Sequence, residues 1–402
     1  MAQWVVPSRD NPFDWYRAMR HEAPVHYQSD GNYWEVFSYD HAKTVLSRYQ
    51  DFSSDFRAFW QRTRQTPPKR ALFAESLIRM DPPEHTGLRT MVNPAFNAPS
   101  MDRLAPRVEA LARTYLAALD PAGFDFVRDF AYPLPVTVIS ELLGVPASDR
   151  QRFKRWVDTL LVFGERDPFR FRQDFFRDPT RQAVREEMEA YFHDFLELRR
   201  HTPQDDLMSH LVSQEVEGAR LNRDQVFQFC VLLLIAGHVT TTNLLSNAAL
   251  WLALHPEWFD TLRQGGPEAI RLFVEEVLRY WSPVQRISRF TLHPVVLGGV
   301  EIPADVPVVA WIGAANRDPA KFPDPEHFLP TRRPNPHISF GFGPHTCLGA
   351  PLARLEATIA LDLLLRDWER WEPVESIESP TMQGILYGVP QLLLRGVRRT
   401  VH

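Results

Sequence analysis

Only two cysteines, Cys230 and Cys347, occur in 402 residues. That excludes a disulfide framework and suits a reducing compartment. Lysine is nearly as scarce: Lys43, Lys69, Lys154 and Lys321 are the only four, and arginine carries the remaining positive charge. Arginine's planar fork matches carboxylate groups, although genome composition is the simpler reading of the skew. There is no basic surplus either. The net charge is -5 and the pI about 6.3, which speaks against a nucleic-acid partner. The longest apolar run, Phe229 to Gly237, falls far short of the roughly 20 residues of a membrane span. The first twenty residues lack the basic stretch and apolar core of a signal peptide. A cytoplasmic protein without a membrane anchor is expected. Repeats, low-complexity tracts and Gly/Ser linkers are missing too. Length alone allows two or three domains, yet nothing in the chain marks a division, so a single domain over 1–402 is expected.

The patterns present are mostly helical. From about residue 100 to 280 apolar residues recur at helical spacing, as in Met101 to Leu119, where Leu104, Val108, Leu111, Ala112, Tyr115 and Leu119 form one stripe. The stretch from Leu221 to Glu257 reads as one very long, largely buried helix ended by His255-Pro256. After residue 282 short strands separated by Gly and Pro turns take over. A helix resumes near Gly349, and a short β ending follows. The expected fold is mainly α with small β-sheets.

The strongest chemical signal is FGFGPHTCLGAPLARLE, residues 340–356. A lone cysteine is more often a buried small residue than a ligand. Here Cys347 stands among Gly341, Gly343 and Gly349 just before an amphipathic helix. Glycines allow close approach and unusual backbone conformations. Helix-terminal N–H groups are expected to lower the thiol pKa and hold a thiolate, which is a good soft ligand for haem iron.

Phe340, Gly343, Cys347 and Gly349 fit F-x-x-G-x-x-x-C-x-G. This resembles the haem-binding signature of the cytochrome P-450 family, and the likeness extends along nearly the whole chain. DFAYPLPVTVISELLGVP and NPHISFGFGPHTCLGAPLARLE are most similar to bacterial members of the CYP109 and CYP107 groups. The resemblance implies one α-rich domain with haem b between the long central helix and the cysteine-loop helix, and Cys347 as the iron ligand. It implies a structural lock from the E-x-x-R pair Glu276 and Arg279, completed by Arg332. By themselves such pairs are usually solvated surface groups. AGHVTTTNLL resembles the family's oxygen-binding kink, which implies roles for Ala236, Gly237 and Thr240, with Thr240 donating a hydrogen bond during oxygen activation. Val239 stands where the family usually has an acid. His238 or a water chain could compensate, although a histidine pointing away into a hydrogen bond is the blander reading.

The resemblance also implies haem-propionate partners: His85 and Arg89 on one helix face, Arg289 ten residues after Arg279, and His345. Arg286 competes with Arg289 for its place. By position, Trp60, Phe73, Leu77, Leu232, Val284, Ile385 and Leu386 bound an apolar substrate pocket, and the Phe/Arg-rich region Phe163–Phe176 forms a lid over it. Each of these alone reads equally well as core or solvated loop. The implied activity is O₂-dependent hydroxylation or epoxidation of a hydrophobic molecule such as a fatty acid, terpenoid, steroid or macrolide. Electrons would come from a ferredoxin with its reductase or a flavodoxin-type donor, steered by Arg103, Arg107 and Arg354. Alternatives are an H₂O₂-driven peroxygenase, which the loss of the acid at Val239 favours, and a non-catalytic haem sensor.

Overall fold

The computed structural model describes residues 11–63, 76–160, 178–213, 215–216, 219–375 and 380–399. Helices dominate from Phe56 to Tyr280 and sheets lie at the edges. The helix Ala98–Ala117 buries Met101, Val108, Leu111, Ala112 and Leu116, and Asn97 caps it through the Ser100 N–H at 3.0 Å. Most of the expected stripe is therefore the buried face. Such a cap contributes about 1 kcal/mol.

The long helix is Arg223–Leu254. It opens with a reciprocal capping box between Asn222 and Gln225 and stops at His255, before Pro256. Nearly every side chain from Val226 to Leu234 and from Leu244 to Ala253 is buried. By length and composition it could cross a membrane, but 72% of its most apolar stretch is buried inside the protein. It is the central core helix. The next helix, Glu257–Tyr280, turns through Gly266 at φ 63°, just before Pro267, so two helical pieces meet at a bend. Glycine is required there because a Cβ is strained at that φ.

A five-stranded sheet has the order Val25–Gln28, Tyr33–Val36, Pro307–Trp311, Arg286–Thr291, Phe52–Ser53. Its three N-terminal strands lie in a part of the chain that carries no long alternating pattern. Val25–Gln28 pairs onto Tyr33–Val36, while Tyr33–Val36 and Phe52–Ser53 are held by strands far along the chain, as in Trp34 opposite Val308 and Phe52 opposite Thr291. The expected strands after residue 282 are present, except that Ile312–Ala315 closes as a helical turn. A smaller sheet joins Trp368–Pro373, Leu393–Arg398 and Phe124–Asp125. The cysteine-loop helix, Ala350–Asp367, packs against Ala98–Ala117, Glu257–Tyr280 and the long helix. One hydrophobic cluster runs through all four.

Candidate active site

The loop before the cysteine is built on two left-handed glycines, Gly341 at φ 74° and Gly343 at φ 77°. A Cβ on Gly343 would come within 2.7 Å of the Ser47 backbone, so the loop also presses against the helix Tyr39–Ser47. Gly349 differs from the expectation. Its φ is -81°, and a Cβ there would meet Cys347 Sγ at an ordinary 4.0 Å.

The Cys347 N–H donates to Phe340 O at 2.8 Å, closing the loop. The residue is exposed, although protein surrounds it closely enough for burial to be the largest influence on its thiol. Burial pushes the pKa up, against the N–H groups of Gly349 and Ala350 and the charges of Arg89 and Arg354, which pull it down. The expected net lowering is therefore not present in the protein alone. Two helix-terminal N–H groups do not offset desolvation of a thiolate, whereas a bound metal cation would.

Beside the thiol lies a pocket rich in donors. Arg89 reaches the cysteine loop, donating to Pro344 O at 2.8 Å and Thr346 O at 2.6 Å. The His85 and His345 rings lie 4.2 Å apart. Burial, then Arg89 and Arg289, hold His85 down to about 4; burial, then Arg289, His85 and Arg89, hold His345 down to about 2. Both imidazoles are neutral, and the Nε2 of each is buried without a hydrogen-bond partner among the described residues. Arg289 is buried and donates to its neighbour's carbonyl, Ser288 O, at 2.9 Å. Orphaned nitrogens beside the buried Arg289 and the half-buried Arg89 fit a ligand bearing carboxylates. Strand alternation puts the two competing arginines on opposite faces. Arg289 acts on both histidines, whereas Arg286 lies on the other face, 5.2 Å from the Trp311 ring.

On the long helix, Ala236 is exposed within a buried helix, and Val239, Thr240 and Asn243 are half-buried. These four share one face by spacing. The expected kink is absent: the helix is regular through 236–241. The Thr240 hydroxyl instead donates to Ala236 O at 2.8 Å and that of Thr241 to Gly237 O at 3.0 Å. Gly237 serves close packing, since a Cβ would come within 2.9 Å of Ile139. His238 is buried against the Tyr132 ring, 4.8 Å away, and burial lowers it to about 4. It points away from the Thr240 face and stays neutral, so it does not replace the missing acid.

Glu276 and Arg279 have no exposed surface. They form a two-pronged pair at 2.7 and 2.9 Å, and Arg332 Nε lies 3.3 Å from both Glu276 oxygens. Glu276 also accepts from Leu329 N and Asn335, while Arg279 donates to the carbonyls of Asn316, Pro325 and His327.

The expected pocket residues are only partly brought together. Val284 and Leu386 pair across a β-bridge, and Gln285 N donates to Ile385 O at 2.8 Å. Asn247 ties Tyr387 to the long helix, and Asn243 packs against Gly388. Leu77 and Leu232 lie buried in the main core cluster. Trp60 is half-buried beside Phe56, and Ile385 is exposed. Phe73 and the lid at Phe163–Phe176 lie outside the described residues. The expected steering arginines are largely occupied: Arg107 pairs with Glu141 and Arg354 with Glu275, while Arg103 donates to Ser100. Glu275 and His337 were not legible as site residues, although the doublet Glu275-Glu276 was a signal.

Glu356, also on the cysteine-loop helix, is buried, and neither carboxylate oxygen has a partner among the described residues. Burial pushes it up to about 8, so it is protonated at neutral pH. A carboxyl whose folded pKa is raised loses stability as pH climbs from the ordinary carboxylate value toward the folded one. Between about pH 4.5 and 8 this costs on the order of a few kcal/mol. Glu356→Gln should flatten that slope in denaturant titrations across this range. An unchanged slope would mean that the carboxyl is not buried as an acid.

Comparison with known proteins agrees with this geometry. The cytochrome P450 family profile matches residues 13–393. Cytochrome P450 109 of Bacillus spizizenii is 38% identical over 96% of this chain and 91% of its own length. The erythromycin C-12 hydroxylase of Saccharopolyspora erythraea is 38% identical over 89% of this chain and 87% of its own. The structure of CYP109E1 from Bacillus megaterium in complex with testosterone superposes with a TM-score of 0.86 at 38% identity, covering 96% of this chain and 98% of that one. A fold, a cysteine loop and near-complete coverage all agree, and the chain belongs to the cytochrome P450 family.

Proposed function

We propose that this P450 monooxygenase hydroxylates or epoxidises an apolar molecule of steroid or macrolide size, with haem b bound through Cys347. The observation carrying this reading is the donor pocket of His85, Arg89, Arg289 and His345 beside the only exposed thiol among the described residues. Two guanidiniums and two orphaned imidazole nitrogens would hold the two propionates. The substrate class rests on relatives whose names and bound ligands are macrolides and steroids. Electrons would arrive from a ferredoxin with its reductase or a flavodoxin-type donor, and the protein would work in the cytoplasm as one domain.

Haem iron, when bound, supplies O₂ binding and its two-electron activation. The chain's part is to orient substrate, exclude water and move protons. Ala236 leaves room on the long helix. Thr240 Oγ1 is a proton-bearing group on that face and already has a carbonyl to donate to. Protons must reach it along water at the Val239–Asn243 stripe, because no carboxylate stands at 239.

A positioned donor contributes about 10²–10⁴-fold to a proton-dependent step. Thr240→Ala should therefore form much less product per NADH consumed while binding substrate normally. Val239→Asp should raise that ratio where the new carboxylate keeps contact with water. Coupling measured with one good substrate checks both, and a fully coupled Thr240→Ala removes the proposed role. Spectral titration with steroids, macrolides, terpenoids and fatty acids tests the substrate class. Val239 also favours a second reading, a peroxygenase. Comparing turnover with NADH and surrogate donors against turnover with H₂O₂ separates the two.

A further inference from the structure

Beneath the cysteine loop lies a charge network that the lock does not include. Glu275 forms a two-pronged pair with Arg354 at 2.6 and 2.9 Å. His337 Nε2 lies 3.0 Å from the same carboxylate, and its Nδ1 is 3.3 Å from the Ser339 N–H, which donates to it. With Nδ1 accepting, Nε2 carries the hydrogen that faces Glu275. Burial alone would raise the Glu275 pKa, but Arg354 and His337 outweigh it and bring it to about 2. Glu275 is therefore a permanent anion. The Arg354 guanidinium lies 4.4 Å from the centroid of the Phe340 ring. Phe340 is the residue whose carbonyl accepts the Cys347 N–H.

We propose that Glu275 and Arg354 form an opposed charge pair that positions Phe340 and sets the electrostatic field at the Cys347 sulfur. The proposal rests on Cys347 being the iron ligand. Arg354 supplies a positive charge close enough to favour the Cys347 thiolate. Glu275 offsets that charge and fixes where the guanidinium sits. His337, 3% exposed in its side chain, anchors the carboxylate from the other side. Arg354 is thus turned inward as a positioning residue, although its side chain is 40% exposed.

The two members of the pair have opposite signs, so removing them has opposite effects. Without the Arg354 charge, the sulfur's electron density is less stabilised and the ferric state gains. Without the Glu275 charge, Arg354 acts unopposed and the ferrous state gains. The test is spectroelectrochemical titration of haem-loaded parent, Arg354→Gln, Arg354→Lys and Glu275→Gln. At a fixed poise, Arg354→Gln should lower the ferrous-to-ferric ratio by about threefold or more, and Glu275→Gln should raise it by a similar factor. Arg354→Lys keeps the charge and should stay near the parent.

Shifts in the same direction for both glutamine variants overturn the proposal, as does identical behaviour of Arg354→Gln and Arg354→Lys. Should Glu275→Gln fail to retain haem, the Arg354 comparison still decides, because packing loss alone would move Lys and Gln variants alike. The red-shifted ferrous–CO band of the parent reads the underlying ligand assignment independently. Its absence would sink that assignment, whereas its presence with wrong-signed shifts would sink only the pair.

Discussion

Glu276→Ala and Arg279→Ala proteins should accumulate poorly and emerge deficient in haem. Both side chains are wholly buried, and each would leave the other's charge stranded. Losing one partner of a buried pair typically costs about 3–5 kcal/mol, a large share of the 5–15 kcal/mol that holds a domain folded. Glu276 has more at stake than the pair, since its carboxylate also accepts from Leu329 N, Asn335 and Arg332. Arg279 likewise donates to the carbonyls of Asn316, Pro325 and His327, so the two variants should be comparably damaging. Arg332→Ala should be milder, because it leaves the two-pronged pair intact, although it also removes donors to the carbonyls of Pro323, Asp324 and His327. Haem content, expression yield and denaturation midpoints check the order. A well-folded, fully loaded Arg279→Ala protein without turnover would assign the pair to chemistry instead.

Cys347→Ser should abolish the red-shifted Soret band of the ferrous–CO complex. A serine hydroxyl lacks the soft, electron-donating sulfur that distinguishes this ligand. Haem can still bind, because Arg89, Arg289, His85 and His345 are untouched. Retained haem with a lost band separates ligation from the donor pocket. A band that persists in Cys347→Ser would place the ligand elsewhere.

Helices with a strong apolar stripe and a local cap could be read directly. Arg223–Leu254 begins at its Asn222 cap and ends where Pro256 forbids continuation. The buried Glu276–Arg279 pair was legible only through the family resemblance, since one-turn spacing alone reads as a solvated surface pair. The N-terminal strands were not, because Tyr33–Val36 is four residues long and owes its order to Pro307–Trp311. Spacing alone could not separate Arg286 from Arg289; the strand's pleat does that. It also could not show that the Thr240 region stays regular, since that follows from hydroxyls bonding back to carbonyls. Nor could a motif report the sign of the Cys347 shift, which depends on how much protein surrounds the sulfur.

The His85–His345 contact has a practical consequence for handling the protein. Both rings titrate well below neutrality, so the charge of the donor pocket is constant from about pH 5 upward. Its positive charge comes from Arg89 and Arg289, which stay protonated throughout. Buried pairs are screened by salt far less than surface ones. Cofactor retention should then be indifferent to ionic strength during chromatography, and acid, which neutralises the cofactor's own carboxylates, should strip it where brine does not.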